Sequence, residues 1–213
     1  MHRMPQLTVN GQKNHHAKIS DSFLYANINN PIRIGVFYDG KIVWKYPDMT
    51  EFQKEEQPIL SIMSLNCSAE YEMIKFCLST DEKTCRNVKI VVQYQNLNDA
   101  PSTAYYSPSE SAIVSFSDEG EMVSLIGGSL GGKPMKQYCI HPREKYNHKQ
   151  LQNILKRGQL PMSWIAKGNI CSTFIFETEL SSHSEAEGVV WIFYANSEEK
   201  VKYRKRELTS SIV

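Results

Sequence analysis

Hydrophobic residues along this chain recur mostly at every second position, in short runs separated by polar turns. Val88, Ile90, Val92 and Tyr94 form one such series, and Ile74, Phe76 and Leu78 another. Successive side chains leave a strand on opposite faces, so this spacing predicts antiparallel strands with one buried face. Further strand-like runs are Phe23–Asn27, Ile32–Phe37, Lys41–Tyr46, Ile59–Leu65, Ala112–Phe116, Met122–Ile126, Cys171–Phe176 and Val189–Tyr194, with Lys133–Ile140 reading as extended. Asp39-Gly40 and Asp118-Glu119-Gly120, each between two apolar runs, predict hairpins. Val189, Trp191 and Phe193 alternate with Val190, Ile192 and Tyr194, which makes that strand apolar on both faces and central in its sheet.

Only two helices are predicted. The first runs from about His148 to Arg157, with Leu151, Ile154 and Leu155 on one face and Gly158 as the stop. The second follows Ser197 as N-cap, with Glu198 and Glu199 in its first turn and Lys202, Arg204, Lys205 and Arg206 toward its end, an order that suits the helix dipole. Residues 1–20 lack periodicity and read as a loose tail. Thr50–Gln57 and Asn96–Pro101 read as polar connections. The predicted fold is therefore mostly β: a single antiparallel β-sandwich over residues 21–213, with one or two short helices. Ile90, Val92, Phe116, Ile175 and Trp191 are expected to be buried.

Composition narrows the function classes. A chain of 213 residues can bury about two-thirds of its unfolded surface. With 24 basic against 23 acidic residues, the formal charge is +1, so the surplus that phosphate binding needs is missing and nucleic acid is not an expected partner. There is no apolar run of about 18 residues and no secretory leader pattern, which points to a soluble cytoplasmic protein without a membrane partner. Five scattered cysteines, Cys67, Cys77, Cys85, Cys139 and Cys171, read as reduced thiols and not as a disulfide framework. In that setting the Asn66-Cys67-Ser68 glycosylation pattern is silent.

Candidate chemistry is sparse. Gly127-Gly128-Ser129-Leu130-Gly131-Gly132-Lys133 approaches a phosphate-binding loop, but Pro134 replaces the hydroxyl residue that would hold magnesium. A flexible Gly-rich hairpin loop is the expectation, with no nucleotide bound. Cys139, His141 and Cys171 could approach one another but lack the close ligand pairs of a zinc site, so they read as small core residues, and no metal or other cofactor is expected. No nucleophile, base and acid converge, and no catalytic residue is assigned. Aromatic side chains can stack on sugar rings. Tyr105 and Tyr106 are candidates, with Trp164 the best surface position because it sits beside Pro161 in a short segment. Arg204, Lys205 and Arg206 form the strongest charge cluster and a candidate docking surface for an acidic protein. Their helix is expected to contribute more to binding than to stability, with Val201 and Leu208 as its anchors.

The order of features in the second half carries a resemblance. Ala104-Tyr105-Tyr106-Ser107-Pro108, the Ala112–Phe116 strand, the Gly127–Gly132 turn, Gln137-Tyr138, Gly158-Gln159-Leu160, Ile165–Gly168 and Val190-Trp191-Ile192 together resemble the N-terminal β-supersandwich domain of bacterial family-15 glycoside hydrolases. The likeness spans roughly Met73 to Leu208. In that family the catalytic glutamates lie in a following (α/α)₆ barrel, so the resemblance implies a sandwich standing alone, without the enzyme. The expected function is a non-catalytic interaction or assembly module whose partner is a carbohydrate, a glycan-handling protein or a further copy of the chain. The alternative is a subunit of a carbohydrate-active enzyme with a shallow aromatic cleft.

Overall fold

The computed structural model describes residues 31–45, 58–81, 83, 86–95, 101–118, 120 and 122–209. The predicted tail, the Phe23–Asn27 strand, the Thr50–Gln57 connection and Cys85 lie outside them. The described chain is mostly antiparallel β in two sheets, with two short helices. In chain order the elements are β1 (Ile32–Tyr38), β2 (Lys41–Lys45), β3 (Ile59–Cys67), β4 (Tyr71–Ser79), β5 (Arg86–Gln95), β6 (Ser102–Ser107), β7 (Ala112–Ser117) and β8 (Val123–Leu130). There follow β9 (Lys133–Pro134), β10 (Gln137–Pro142), α1 (His148–Lys156), β11 (Ile165–Gly168), β12 (Ile170–Leu180), β13 (Glu185–Ala195) and α2 (Glu198–Thr209). The first sheet has the order β10-β12-β5-β1-β2; the second runs β11-β6-β7-β8-β13-β4-β3, with β9 beside β8.

Both predicted hairpins form. Tyr38 pairs with Lys41 across a two-residue turn in which Asp39 and Gly40 have φ of 45° and 76°. That is the backbone a twisted hairpin favours and most residues resist, which is why Asp-Gly stands there. β7 and β8 join through Gly120 (φ 77°), whose amide donates to the Ser117 carbonyl at 2.9 Å.

The inner faces meet in one apolar core. Ile90 and Val92 of β5 and Phe174 of β12 face Phe76 of β4 and Ile192 of β13, all fully buried. β13 lies between β8 and β4, as its double-sided apolarity requires, and Trp191 is buried on its outer face. Each outer face carries a helix. Leu151 and Leu155 of α1 cover Val91 and Ile175 of the first sheet, and Val201 of α2 covers the second sheet beside Trp191 and Phe193. The helix starting at His148 is held by a reciprocal cap. Asn147 Oδ1 accepts from the Gln150 amide and Gln150 Oε1 from the Asn147 amide, each at 2.9 Å.

The polar face of β5 departs from a simple half-exposed strand. Gln93 is buried, accepts from Arg33 Nε at 2.7 Å and donates to Thr173 Oγ1 at 2.9 Å, while His141 Nε2 sits 3.2 Å from that hydroxyl. Alternation therefore recorded the polar row but not its burial. Phe116 is only half-buried, stacked on Tyr105 at the margin of the outer core.

The Gly-rich stretch is a second correction. Gly127 and Gly128 belong to β8 itself, and only Gly131 and Gly132 make the turn into β9. Gly127 pairs with Trp191, and Gly128 with Val190. A Cβ on Gly127 would come within 2.6 Å of the Trp191 indole, and one on Gly128 would meet the Val189 carbonyl oxygen. The glycines are strand positions emptied to admit neighbours, which glycine within a strand often marks. Gly128→Ala is expected to destabilise by about 3 kcal/mol, because backbone must move, whereas exposed Lys133→Ala should change stability by less than about 0.5 kcal/mol. Urea unfolding of the two variants checks this.

Candidate functional site

Between the helix α1 and strand β11, the chain crosses from one sheet to the other. The Ser163 carbonyl accepts from the Ile140 amide at 3.0 Å, tying the segment to β10, and Ser163 forms a parallel bridge with Cys139. One residue later the Trp164 carbonyl accepts from the Tyr106 amide at 2.9 Å, and β11 then pairs with β6 from Ile165 onward. This segment closes one side of the sandwich. Tyr106 packs behind it, its ring stacked on Tyr138 with centroids 3.8 Å apart. With its backbone held by both sheets, the segment leaves Met162, Trp164 and Ile165 exposed by 80%, 63% and 44%. That short stretch of exposed apolar positions, centred on Trp164, is a ledge on a fixed support.

The other aromatic candidates separate. Tyr105 and Tyr106 are consecutive on one strand and therefore leave opposite faces. Tyr105 turns to the outer face, where its hydroxyl donates to Glu198 Oε1 of α2 at 2.7 Å. Burial, then the Glu198 carboxylate, push that phenol up to about 12. Of the remaining tryptophans, Trp191 is core and Trp44 donates from Nε1 to His148 Nδ1 at 3.2 Å beneath the Arg33 guanidinium. Among the sequence candidates, Trp164 alone combines an aromatic ring with large exposure.

Arg204, Lys205 and Arg206 are turned to internal work. Lys205 Nζ donates to the Glu110 carbonyl at 2.6 Å and to its Oε2 at 3.0 Å, and lies 5.3 Å from the Trp191 ring centre. Arg206 reaches Glu110 Oε1 at 3.4 Å, and Arg204 bonds the Tyr194 carbonyl and Glu70. Glu110 is only 7% exposed in the turn after β6. These contacts fasten α2 to the second sheet, so the expectation that the helix matters little to stability does not suit its geometry. Burial alone would raise the Glu110 pKa, but Lys205 and Arg206 outweigh it and hold the carboxyl below its ordinary value of 4.5.

Cys139, His141 and Cys171 do come together on the outer face of the first sheet, with His141 directly across from Cys171. All three are buried. Burial pushes the Cys139 thiol up to about 11 and raises that of Cys171 despite nearby Arg33, so both stay protonated and poorly nucleophilic. The His141 pKa is lowered by burial, and its ring nitrogens meet the Pro142 carbonyl at 2.8 Å and Thr173. Among the described residues, no group of three or more His, Cys, Asp or Glu side chains is placed to hold a metal ion. No described helix is long and apolar enough to cross a membrane.

Sequence reading missed a polar chain that spans the sandwich. Tyr94 of the first sheet hydrogen-bonds Tyr194 and Ser124 of the second, and the Tyr194 hydroxyl donates to Glu72 Oε1 at 3.0 Å. Burial pushes Tyr94 up to about 12 and raises the Tyr194 phenol further. It also raises the Glu72 carboxyl, against the opposing hydrogen bond from Tyr194. The alternation places Tyr194 on one apolar face of its strand and gives Glu72 no role, and no periodicity pairs either with Tyr94.

No protein-family model matches this chain, and no curated protein matches its sequence.

Glu110 and Glu72 should titrate with opposite consequences. The Glu110 contribution is present above pH 4.5 and lost as pH falls through its depressed folded value. Glu110→Gln is therefore expected to cost about 2 kcal/mol at pH 7, with the gap from wild type closing in acid. Glu72 contributes most below 4.5 and loses that contribution as pH rises through its elevated value. Glu72→Gln should raise the melting temperature at pH 7 and leave it unchanged well below 4.5. Thermal unfolding against pH checks both signs.

Proposed function

We propose that this protein is a non-catalytic β-sandwich binding module that takes a carbohydrate, free or carried by a partner, on the Trp164 ledge. The observation that carries this reading is an indole exposed by 63% on a backbone bonded to both sheets. An exposed tryptophan gains when a ligand covers its ring. A pyranose suits the site because its C–H face is apolar while its edge remains hydrated. The ledge is also short. A stable protein interface buries about 800 Å² on each partner, more than three neighbouring side chains supply, whereas one or two sugar rings match their extent. Fixed backbone lowers the ordering cost of binding. Free thiols at Cys67, Cys77, Cys139 and Cys171 suit a cytoplasmic setting for such a module.

Binding can be followed by fluorescence because Trp191 is buried and Trp44 is engaged with His148. Screening neutral oligosaccharides should find one that shifts tryptophan emission saturably. Trp164→Ala should weaken that ligand by about tenfold, the scale of one lost aromatic contact, with the melting temperature unchanged. If the variant binds every active glycan as well as wild type does, the ledge is not the site.

A further inference from the structure

A second candidate site lies where β5 and β10 begin and β12 passes between them, beside the turn that follows α1. It is a cleft of about 420 Å³ lined by Asn87, Lys89, Lys136, Gln137, Gln159, Glu177 and Thr178 among others. That volume falls within the range of about 300–1,000 Å³ used by small-molecule sites. Its floor is prearranged. Lys89 and Glu177 are cross-strand partners, with Nζ 3.4 Å from Oε1, and Lys89 also donates to the Gly158 carbonyl at 2.9 Å. Gln137 Nε2 bridges Glu177 Oε1 at 2.9 Å and the Gly158 carbonyl at 3.2 Å. Lys136 Nζ meets Glu177 Oε2 at 2.5 Å from the solvent side, its side chain 66% exposed.

The charges in this arrangement do not balance. Glu177 stays ionised because Lys136 and Lys89 outweigh the effect of its burial. Two ammonium groups thus share one carboxylate, leaving the lining with one net positive charge. An adjoining hollow of about 300 Å³ shares Lys136 and Glu177 and adds Lys133 beside Met135 and Phe176, so the positive excess continues along the groove. A monoanion entering here meets Lys136 from the open side while Glu177 keeps Lys89. Around that point, the exposed Asn87 and Gln159 side chains supply amide groups that suit a ligand rich in hydroxyls.

We infer that this cleft binds a small polyhydroxylated carboxylate, its carboxylate on Lys136 and its hydroxyls on Asn87 and Gln159. Charge-assisted hydrogen bonds give the acid group most of the affinity, and the neutral groups distinguish it from simple anions. The site is separate from the Trp164 ledge and does not depend on it.

Gluconate serves as the probe, titrated into the full chain at low salt by calorimetry. Sorbitol removes the charge, acetate removes the hydroxyls, and inorganic phosphate supplies a compact anion. Gluconate should saturate with a Kd of about 1 mM, with sorbitol and acetate each about tenfold weaker, and added salt should weaken gluconate. Lys136→Met should reduce its affinity about tenfold without changing the melting temperature, since that side chain is largely exposed, and Trp164→Ala should leave it unchanged. Failure of gluconate to saturate, acetate or sorbitol binding equally well, tighter binding of phosphate, or full affinity in Lys136→Met would each overturn the inference.

Discussion

In the second sheet, glycine stands opposite large aromatic rings, and the packing of both of its faces depends on that pairing. Gly127 lies across from Trp191, and Gly188 across from Phe76. A methyl group at either glycine would fall within the neighbouring ring's contact distance. The Trp191 indole can therefore settle over β8 on the outer face, while Phe76 reaches over β13 into the space between the sheets. Interiors pack at nearly crystalline density, so rings of this size require a matching vacancy. The same vacancy sets the position of α2. Its Lys205 ammonium lies over Trp191 and is gripped by Glu110, which joins the helix to the turn after β6.

The two ends of the segment between α1 and β11 serve different chemistry. At its start, the Gly158 carbonyl helps hold Lys89 and Gln137 in the charged cleft. At its end, Ser163 and Trp164 are bonded to different sheets, and the apolar side chains around them face solvent. Exposed apolar groups on a loose loop would fold back onto the surface. Here the backbone bonds prevent that, and the exposure is built into the sheet connection.

Much of the architecture was legible because strand patterning is a local property. The alternation at Val88–Tyr94, the Asp39-Gly40 turn and the capped helix at His148 depend on residues close in sequence, and each appears where the pattern places it. β11 was not legible as a strand, since Ile165-Ala166-Lys167-Gly168 is short and has no clear alternation. The charged ends of β12 and β13 were also missed. Glu177, Glu179, Glu185 and Glu187 oppose ordinary strand propensity, yet ladder hydrogen bonds to β5 and β4 carry both strands past them.

The candidate site divides along the same line. Sequence by itself determined the β-rich class, the two helices, the double-sided burial of β13 and the singling out of Trp164, because each follows from residue type and neighbour spacing. Only the tertiary structure decided that Tyr105 meets Glu198 while Tyr106 stacks on Tyr138, that Lys205 turns inward to Glu110 with Arg206 reaching the same carboxylate from solvent, and that Lys89, Lys136 and Glu177 meet. Those outcomes depend on strand register and helix docking, which join residues up to 96 positions apart. A local pattern constrains which face a side chain leaves by, but the partner it meets there is set by which distant strand or helix packs against that face.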